Sequence, residues 1–269
     1  MRFDETARPL VSLTTLRSGP ADHAVVVDFI KFSGQPSAGD LVTTALADRS
    51  VLRADPVADL SDSRGWLPLG ELAGEYARLI AALDPTPSVL VGYCSGAPLA
   101  LLIAGELAHE GTRVPVLLLA PRFPDRRQVL DDLAGIRRSI GAAGQPPGRP
   151  PAADLVLPQD PVAAVRYIGS VLSDDLAAAA EDDTAGTALT DDLVARYTAW
   201  LGYLLAAADA PLGDVPADVC IVASPDPWST PNRQWPTTAR IHPTTLTGAE
   251  FLTSPETAAV IASHFGTLR

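Results

Sequence analysis

PSVLVGYCSGAPLALLIAGELAH, residues 87–109, decides how the chain is read. Its opening, residues 87–93, is a short apolar run of the kind found in a strand covered on both faces. From Ser95 to about His109 it reads as a helix, with Gly111 just beyond as the C-cap. Between the two stands Gly92-Tyr93-Cys94-Ser95-Gly96. A G-x-nucleophile-x-G turn works in this setting, between a buried strand and a helix. The glycines allow a bend so tight that flanking side chains would collide. The central residue is lifted above the carboxyl ends of the strands, where the helix N-terminus favours an anion. The glycines flank position 94, so Cys94 stands at the tip as the candidate nucleophile. The N–H of Ser95 is expected to contribute to an oxyanion hole. The plainer alternative makes Cys94 a small buried residue and the glycines mere packing aids.

Working outward, residues 10–17 alternate and read as an edge strand, and 23–32 (HAVVVDFIKF) as a buried parallel strand. Gly34, Pro36 and Gly39 mark a loop, and 49–54 a short strand. Leu72, Tyr76, Leu79, Ile80 and Leu83 fall at helical spacing within 69–83. Residues 114–121 form a third buried strand. Strand, helix and strand in this rhythm imply a mostly parallel sheet wound on both faces. Residues 122–213 break the rhythm, with helical stretches in 121–140, 161–181 and 190–208 and a Pro/Gly-rich segment at 141–154. Strands at 216–224 and 239–246 and a closing helix at 254–268 resume it. The expectation is one α/β domain over 1–269, with 122–213 as a helical insertion.

Composition narrows the function. The 269 residues are 47% hydrophobic, enough for one substantial core. The formal net charge of −12 argues against nucleic acid and gives no reason to expect anionic lipid. No run approaches the roughly 20 apolar residues of a membrane span. The start, MRFDETARPL, does not read as a signal peptide. Cys94 and Cys220 match no disulfide framework and no metal spacing, so a reduced, cytoplasmic protein without a metal is the simplest expectation.

With these motifs in place, VLVGYCSGAPLALLIAGELAHEG, preceded by SRGWLPLGELAGEYARLIAAL and followed by PVLLLAP, resembles the thioesterases of nonribosomal peptide and polyketide synthases. The likeness continues through DVPADVCIVASPDPW and LTGAEFLTSPETAAVIASHF and covers most of residues 10–269. It implies an α/β-hydrolase fold with a helical lid. It implies acyl transfer on thioesters held by a phosphopantetheine arm, with no cofactor of the protein's own, and docking of an acyl or peptidyl carrier protein. It also implies Asp226 as the acid and, loosely, an oxyanion loop at Phe32 and Ser33.

Three features depart from that family. The nucleophile is Cys rather than Ser. Glu250, in Gly248-Ala249-Glu250-Phe251, occupies the usual histidine position. The oxyanion loop, Lys31 to Gln35, is poor in glycine. The second usual acid position is Ala120. Nor does another histidine replace the missing one. His242 lies eight residues before Glu250, roughly 26 Å along an extended strand. His109 is roughly 22 Å along the helix from Cys94. His23 falls at the far end of the sheet, and His264 reads as packing.

A thiol needs a base less than a hydroxyl does, since its pKa is about 8.5 and falls further at a helix N-terminus. Three readings follow. In the first, Cys94 accepts an acyl group from a carrier and passes it to water or another acceptor. In the second, Glu250 and Asp226 perform acid–base chemistry such as cyclisation or elimination, which asks for a desolvated Glu250. In the third, the chain binds a carrier-held intermediate without turning it over. Arg126, Arg127, Arg137 and Arg138 suggest a contact for an acidic carrier or its phosphate. The alternative is a solvated helix face paired with Asp131 and Asp132. Trp200, Trp228 and Trp235 are candidates for lining a pocket, or for ordinary packing.

Overall fold

The computed structural model describes residues 10–29, 36–63, 66–140, 155–179, 187–226 and 235–265. Two compact units emerge, one made of 1–59, 70–122 and 212–269, the other of 60–69 and 123–211.

The first unit holds a seven-stranded sheet in the order β1-β3-β2-β4-β5-β6-β7. The strands are β1 (Leu13–Arg17), β2 (His23–Val27), β3 (Ser50–Ala54), β4 (Val89–Tyr93), β5 (Val116–Leu119), β6 (Val219–Ala223) and β7 (Arg240–Pro243). Only β1 runs antiparallel, at one edge, with a bulge between Thr15 and Arg17. The other neighbours pair in parallel.

Strand side chains alternate between faces, and the packing follows that period of two. Val26, Val51, Val91, Leu117, Leu119, Cys220 and Val222 point to one side. There they meet Leu41 and Val42 of α1 (Ala38–Ala45), Phe251 and Leu252 of α8 (Gly248–Thr253), and Ile261 and Phe265 of α9 (Pro255–Phe265). Against the opposite face packs α4 (Ala97–His109), which touches β2, β4 and β5. Both faces are therefore covered, which is why the central strands are apolar along their whole length.

The second unit is helical and holds α5 (Arg126–Ser139), α6 (Pro161–Ala179) and α7 (Thr187–Asp209). Its described residues contain no strand. Asp125 opens α5 with a reciprocal cap: its carboxylate accepts from the Gln128 N–H, and the Gln128 side chain accepts from the Asp125 N–H. Inside the unit, Arg137 of α5 meets Asp175 of α6 at 2.6 Å, both side chains almost fully enclosed.

Several expectations are corrected. Residues 36–45 are not all loop: Ser37 and Asp40 form a capping box that starts α1. A further helix, α2 (Pro56–Ser63), was not expected; α3 (Leu69–Ala81) was, slightly longer. The strand expected over 23–32 ends at Val27. The closing helix starts at Pro255, because the residue before a proline avoids helical geometry; Ser254 is extended, with ψ 130°. Among the described residues, no helix is long and apolar enough to cross a membrane.

Removing Asp175 strands the enclosed Arg137 guanidinium. Asp175→Ala is expected to cost about 3–5 kcal/mol in chemical denaturation, and a loss under 1 kcal/mol would contradict the enclosure of this pair.

Candidate active site

The turn after β4 has no room for side chains on either flank. A Cβ on Gly96 would lie 2.7 Å from the Val27 carbonyl oxygen of β2, and one on Gly92 would lie 2.9 Å from both Ala97 Cα and Ala100 Cβ of α4. Tyr93 is still extended. Cys94 then takes a φ of +48°, and a single 3-10 turn (Cys94–Gly96) leads into α4. A non-glycine residue in that region is strained by about 1–3 kcal/mol and persists only where its surroundings hold it. Here the Cys94 carbonyl accepts from the Arg122 N–H at 3.0 Å, which ties the turn to the segment after β5. The Cys94 thiol is half-buried, with Sγ 3.9 Å from the Ser95 Oγ. Ser95 is fully enclosed.

Asp226 follows β6 at the same edge of the sheet. Its Oδ2 lies 2.7 Å from the Ser224 Oγ and accepts from the Gly248 N–H at 3.2 Å. The Leu246 carbonyl, 2.9 Å from the same hydroxyl, competes for its one proton. The carboxylate thus draws the start of α8 to the end of β6. Glu250 is the third residue of α8 and is exposed. Asp226 and the Glu250 turn therefore come together, as the sequence suggests. The desolvated Glu250 required for a proton donor is corrected, because its carboxylate faces solvent.

Two further groups belong to this edge and were not foreseen. Tyr93 has its phenol pushed well above the usual range, chiefly by burial and then by the charges of Cys94, Asp28 and Asp226. Asp28, fully buried just after β2, accepts from the Phe29 N–H at 2.8 Å and from the Gly39 N–H of α1 at 3.1 Å. The available signal was an acid placed directly behind the apolar run Ala24–Val27. An anion facing a helix N-terminus is favourable, so Asp28 is a support for α1.

All four histidines lie elsewhere. The ring of His23, at the start of β2, sits 2.9 Å from the Pro85 carbonyl. His109 ends α4 and is exposed. His242 and His264 meet edge to face, centroids 4.9 Å apart, beside Cys220. Cys220 pairs with Leu117, which pairs with Val91, three residues before Cys94. At about 4.8 Å per strand and 3.3 Å per residue this sets the cluster roughly 14 Å from the turn. Cys220 itself is buried, and burial pushes its thiol up to about 11.

Arg126, a carrier-contact candidate, is engaged inside the helical unit. Its guanidinium holds both carboxylate oxygens of Asp209, at 2.8 and 2.7 Å, and donates to the Pro158 and Gln159 carbonyls, all within the helical unit. Arg137 pairs with Asp175, so the bonds run between helices rather than along α5. Arg127 and Arg138 are exposed. Trp200 stacks on Tyr203 within α7, and Trp235 is buried. Lys31, Phe32, Ser33 and Trp228 lie outside the described residues.

Neither a family model nor a curated protein sequence matches this chain. Solved structures do. The thioesterase domain described in the cyclisation of the lipopeptide antibiotic surfactin is 17% identical, with a TM-score of 0.54, covering 98% of this chain and 99% of that one. The Vlm2 thioesterase domain, bound with a dodecadepsipeptide, is 14% identical at a TM-score of 0.56, over 94% of this chain and 97% of the other. The NocB thioesterase domain, in covalent complex with a fluorophosphonate nocardicin G analogue, is 17% identical at 0.52, over 94% and 96%. The chain has the α/β-hydrolase fold in the form these thioesterase domains share.

Two predictions follow from the turn. Gly96→Ala forces a Cβ against backbone, and overpacking of this kind costs about 1–3 kcal/mol; a melting temperature equal to that of the native chain would contradict the packing. With iodoacetamide at pH 8, only Cys94 is expected to be alkylated in the folded protein. At a pKa of about 11, Cys220 is about one-thousandth thiolate there. Mapping the label to Cys220 with Cys94 intact would reverse the assignment.

Proposed function

We propose that the chain transfers acyl groups held as thioesters on a carrier protein, with Cys94 as the covalent acceptor. The observation that carries this reading is the position of Cys94: a half-buried thiol on a left-handed turn between a buried strand and a helix, flanked by glycines that admit no Cβ. The named neighbours act in natural-product assembly, and by that likeness the substrate is an acyl or peptidyl group on a phosphopantetheine arm. The helical unit is read as the counterpart of a lid, and Arg127, unlike Arg126, keeps an exposed guanidinium for an acidic carrier.

The Cys94 sulfur attacks the thioester carbonyl. The bond from carbonyl carbon to pantetheine sulfur breaks, the pantetheine thiol leaves with the proton given up by Cys94, and the acyl group rests on Sγ. The Ser95 N–H is the oxyanion donor on this reading, with Phe32 and Ser33 as its companion loop. Exchange between two thioesters is close to thermoneutral, so the loading step needs little help. Deacylation by water needs a base. Glu250 is exposed in the turn that Asp226 holds through Gly248, and the four histidines lie elsewhere. Loading is therefore faster than hydrolysis, and transfer to a better nucleophile than water is the favoured outcome. The acid–base reading without an acyl-enzyme loses support, since Glu250 is exposed and Asp226 is engaged by Ser224 and Gly248. Silent binding of a carrier-held intermediate is the second reading, favoured by the distance of every histidine from Cys94.

Intact-mass analysis after incubation with acyl-pantetheine thioesters separates these readings. An adduct that persists and maps to Cys94 is expected. In Glu250→His, an imidazole beside Asp226 restores the missing base, and the adduct should discharge about 10²-fold faster or more, the usual range for a positioned general base being about 10²–10⁴. Turnover that survives Cys94→Ala would falsify the covalent route. Carrier binding without any adduct would favour the silent reading.

A further inference from the structure

Away from the turn, three residues with metal-binding atoms converge where β6, β7 and α9 meet. Cys220 pairs with Arg240 and Val222 with His242 across the parallel β6–β7 ladder, so Cys220 and His242 share the face of the sheet that α9 covers. α9 brings His264 onto the same spot, one residue before Phe265 of the core. The Cys220 sulfur and one ring nitrogen from each histidine lie within 4.8 Å of one another. The Nε2 of His264 is shielded from solvent and has no hydrogen-bond partner among the described residues. An unpartnered, shielded ring nitrogen on a histidine that stands beside a thiol and a second imidazole suits a ligand that accepts lone pairs.

We infer that Cys220, His242 and His264 form a binding site for a zinc-class divalent cation. The chemistry of the donor set selects the ion. One thiolate and two imidazoles suit a borderline-soft metal such as Zn²⁺ and are poor ligands for Ca²⁺ or Mg²⁺, which take oxygen. Tetrahedral Zn²⁺ with bonds of about 2.0–2.3 Å sets its ligand atoms roughly 3.3–3.6 Å apart. The present separations, up to 4.8 Å, are wider than that, so the three side chains must draw together on binding. The fourth position falls to water. Both histidines are only partly buried, so the ion has a path from the surface. Binding displaces the thiol proton to solvent, and no redox step is involved. The guanidinium of Arg240 lies on the same face and opposes a dication, which limits affinity.

The site is independent of the proposed acyl chemistry. Its effect is structural: it pins the edge strand β7 and the C-terminal helix α9 to β6. The test uses the metal-free full-length chain carrying Cys94→Ala, so that the only thiol is Cys220. Titration with Co²⁺ is expected to saturate at one ion per chain with a thiolate-to-cobalt charge-transfer band, to be displaced by one equivalent of Zn²⁺, and to raise the melting temperature. Cys220→Ser should abolish the band. His264→Gln should weaken binding at least 10-fold, and Arg240→Gln, at an exposed position, should tighten it. The inference is overturned by absence of saturable binding, or by a band that survives Cys220→Ser. Should Cys220→Ser fail to fold, unchanged affinity in both His264→Gln and His242→Gln overturns it equally.

Discussion

The structure depends on one close approach of backbone to backbone, where Gly96 lies against the Val27 carbonyl while Gly92 lies against Ala97. That contact seats α4 against the sheet directly after β4. It compresses the connection into a single 3-10 turn, and the compression places Cys94 at positive φ. The strain, of the order of 1–3 kcal/mol, is held by surroundings that cannot yield: β4 is paired on both sides by β2 and β5, and the apolar residues flanking the turn are fully enclosed. The exposure of one sulfur atom is thus a consequence of packing on both faces of the sheet.

From this turn the remaining groups follow by strand order. With β5 between them, β4 and β6 carry Cys94 and Asp226 to the same edge, and the Asp226 carboxylate fastens the start of α8 there through the Gly248 N–H. The partly buried Tyr93 phenol is pushed up by burial first and then by the charges of Cys94, Asp28 and Asp226. The exposed Glu250 differs from them in place: it lies in solvent, two residues beyond the Gly248 N–H that Asp226 holds. On the proposed reading, this asymmetry favours loading of Cys94 over its hydrolysis.

The fold was largely legible. Uninterrupted apolar runs at β2, β4, β5 and β6 report burial on both faces, and the Gly-x-Cys-x-Gly spacing reports the turn between strand and helix. What stayed hidden depends on partners distant in sequence. Helix α1 is set by the Ser37–Asp40 box and by Asp28, yet Pro36 and Gly39 look like loop punctuation. Arg126 looked like an exposed basic residue because Asp209, its partner, is 83 positions away. The Cys220–His242–His264 convergence has no local spacing at all, since it is made by register across β6 and β7 and by the docking of α9. Cys94, Asp226 and Glu250 could be nominated from motif position, whereas the solvent exposure of Glu250 could not.

The central claim is that the thiol on this turn is the covalent acceptor. A rapid-quench measurement of pantetheine thiol released from an acyl-pantetheine thioester tests it most directly. The account requires a burst of one thiol per chain, followed by a slow steady rate, and no burst in Cys94→Ala. A burst of the same size in that variant would contradict it, as would steady release with no burst in the native chain.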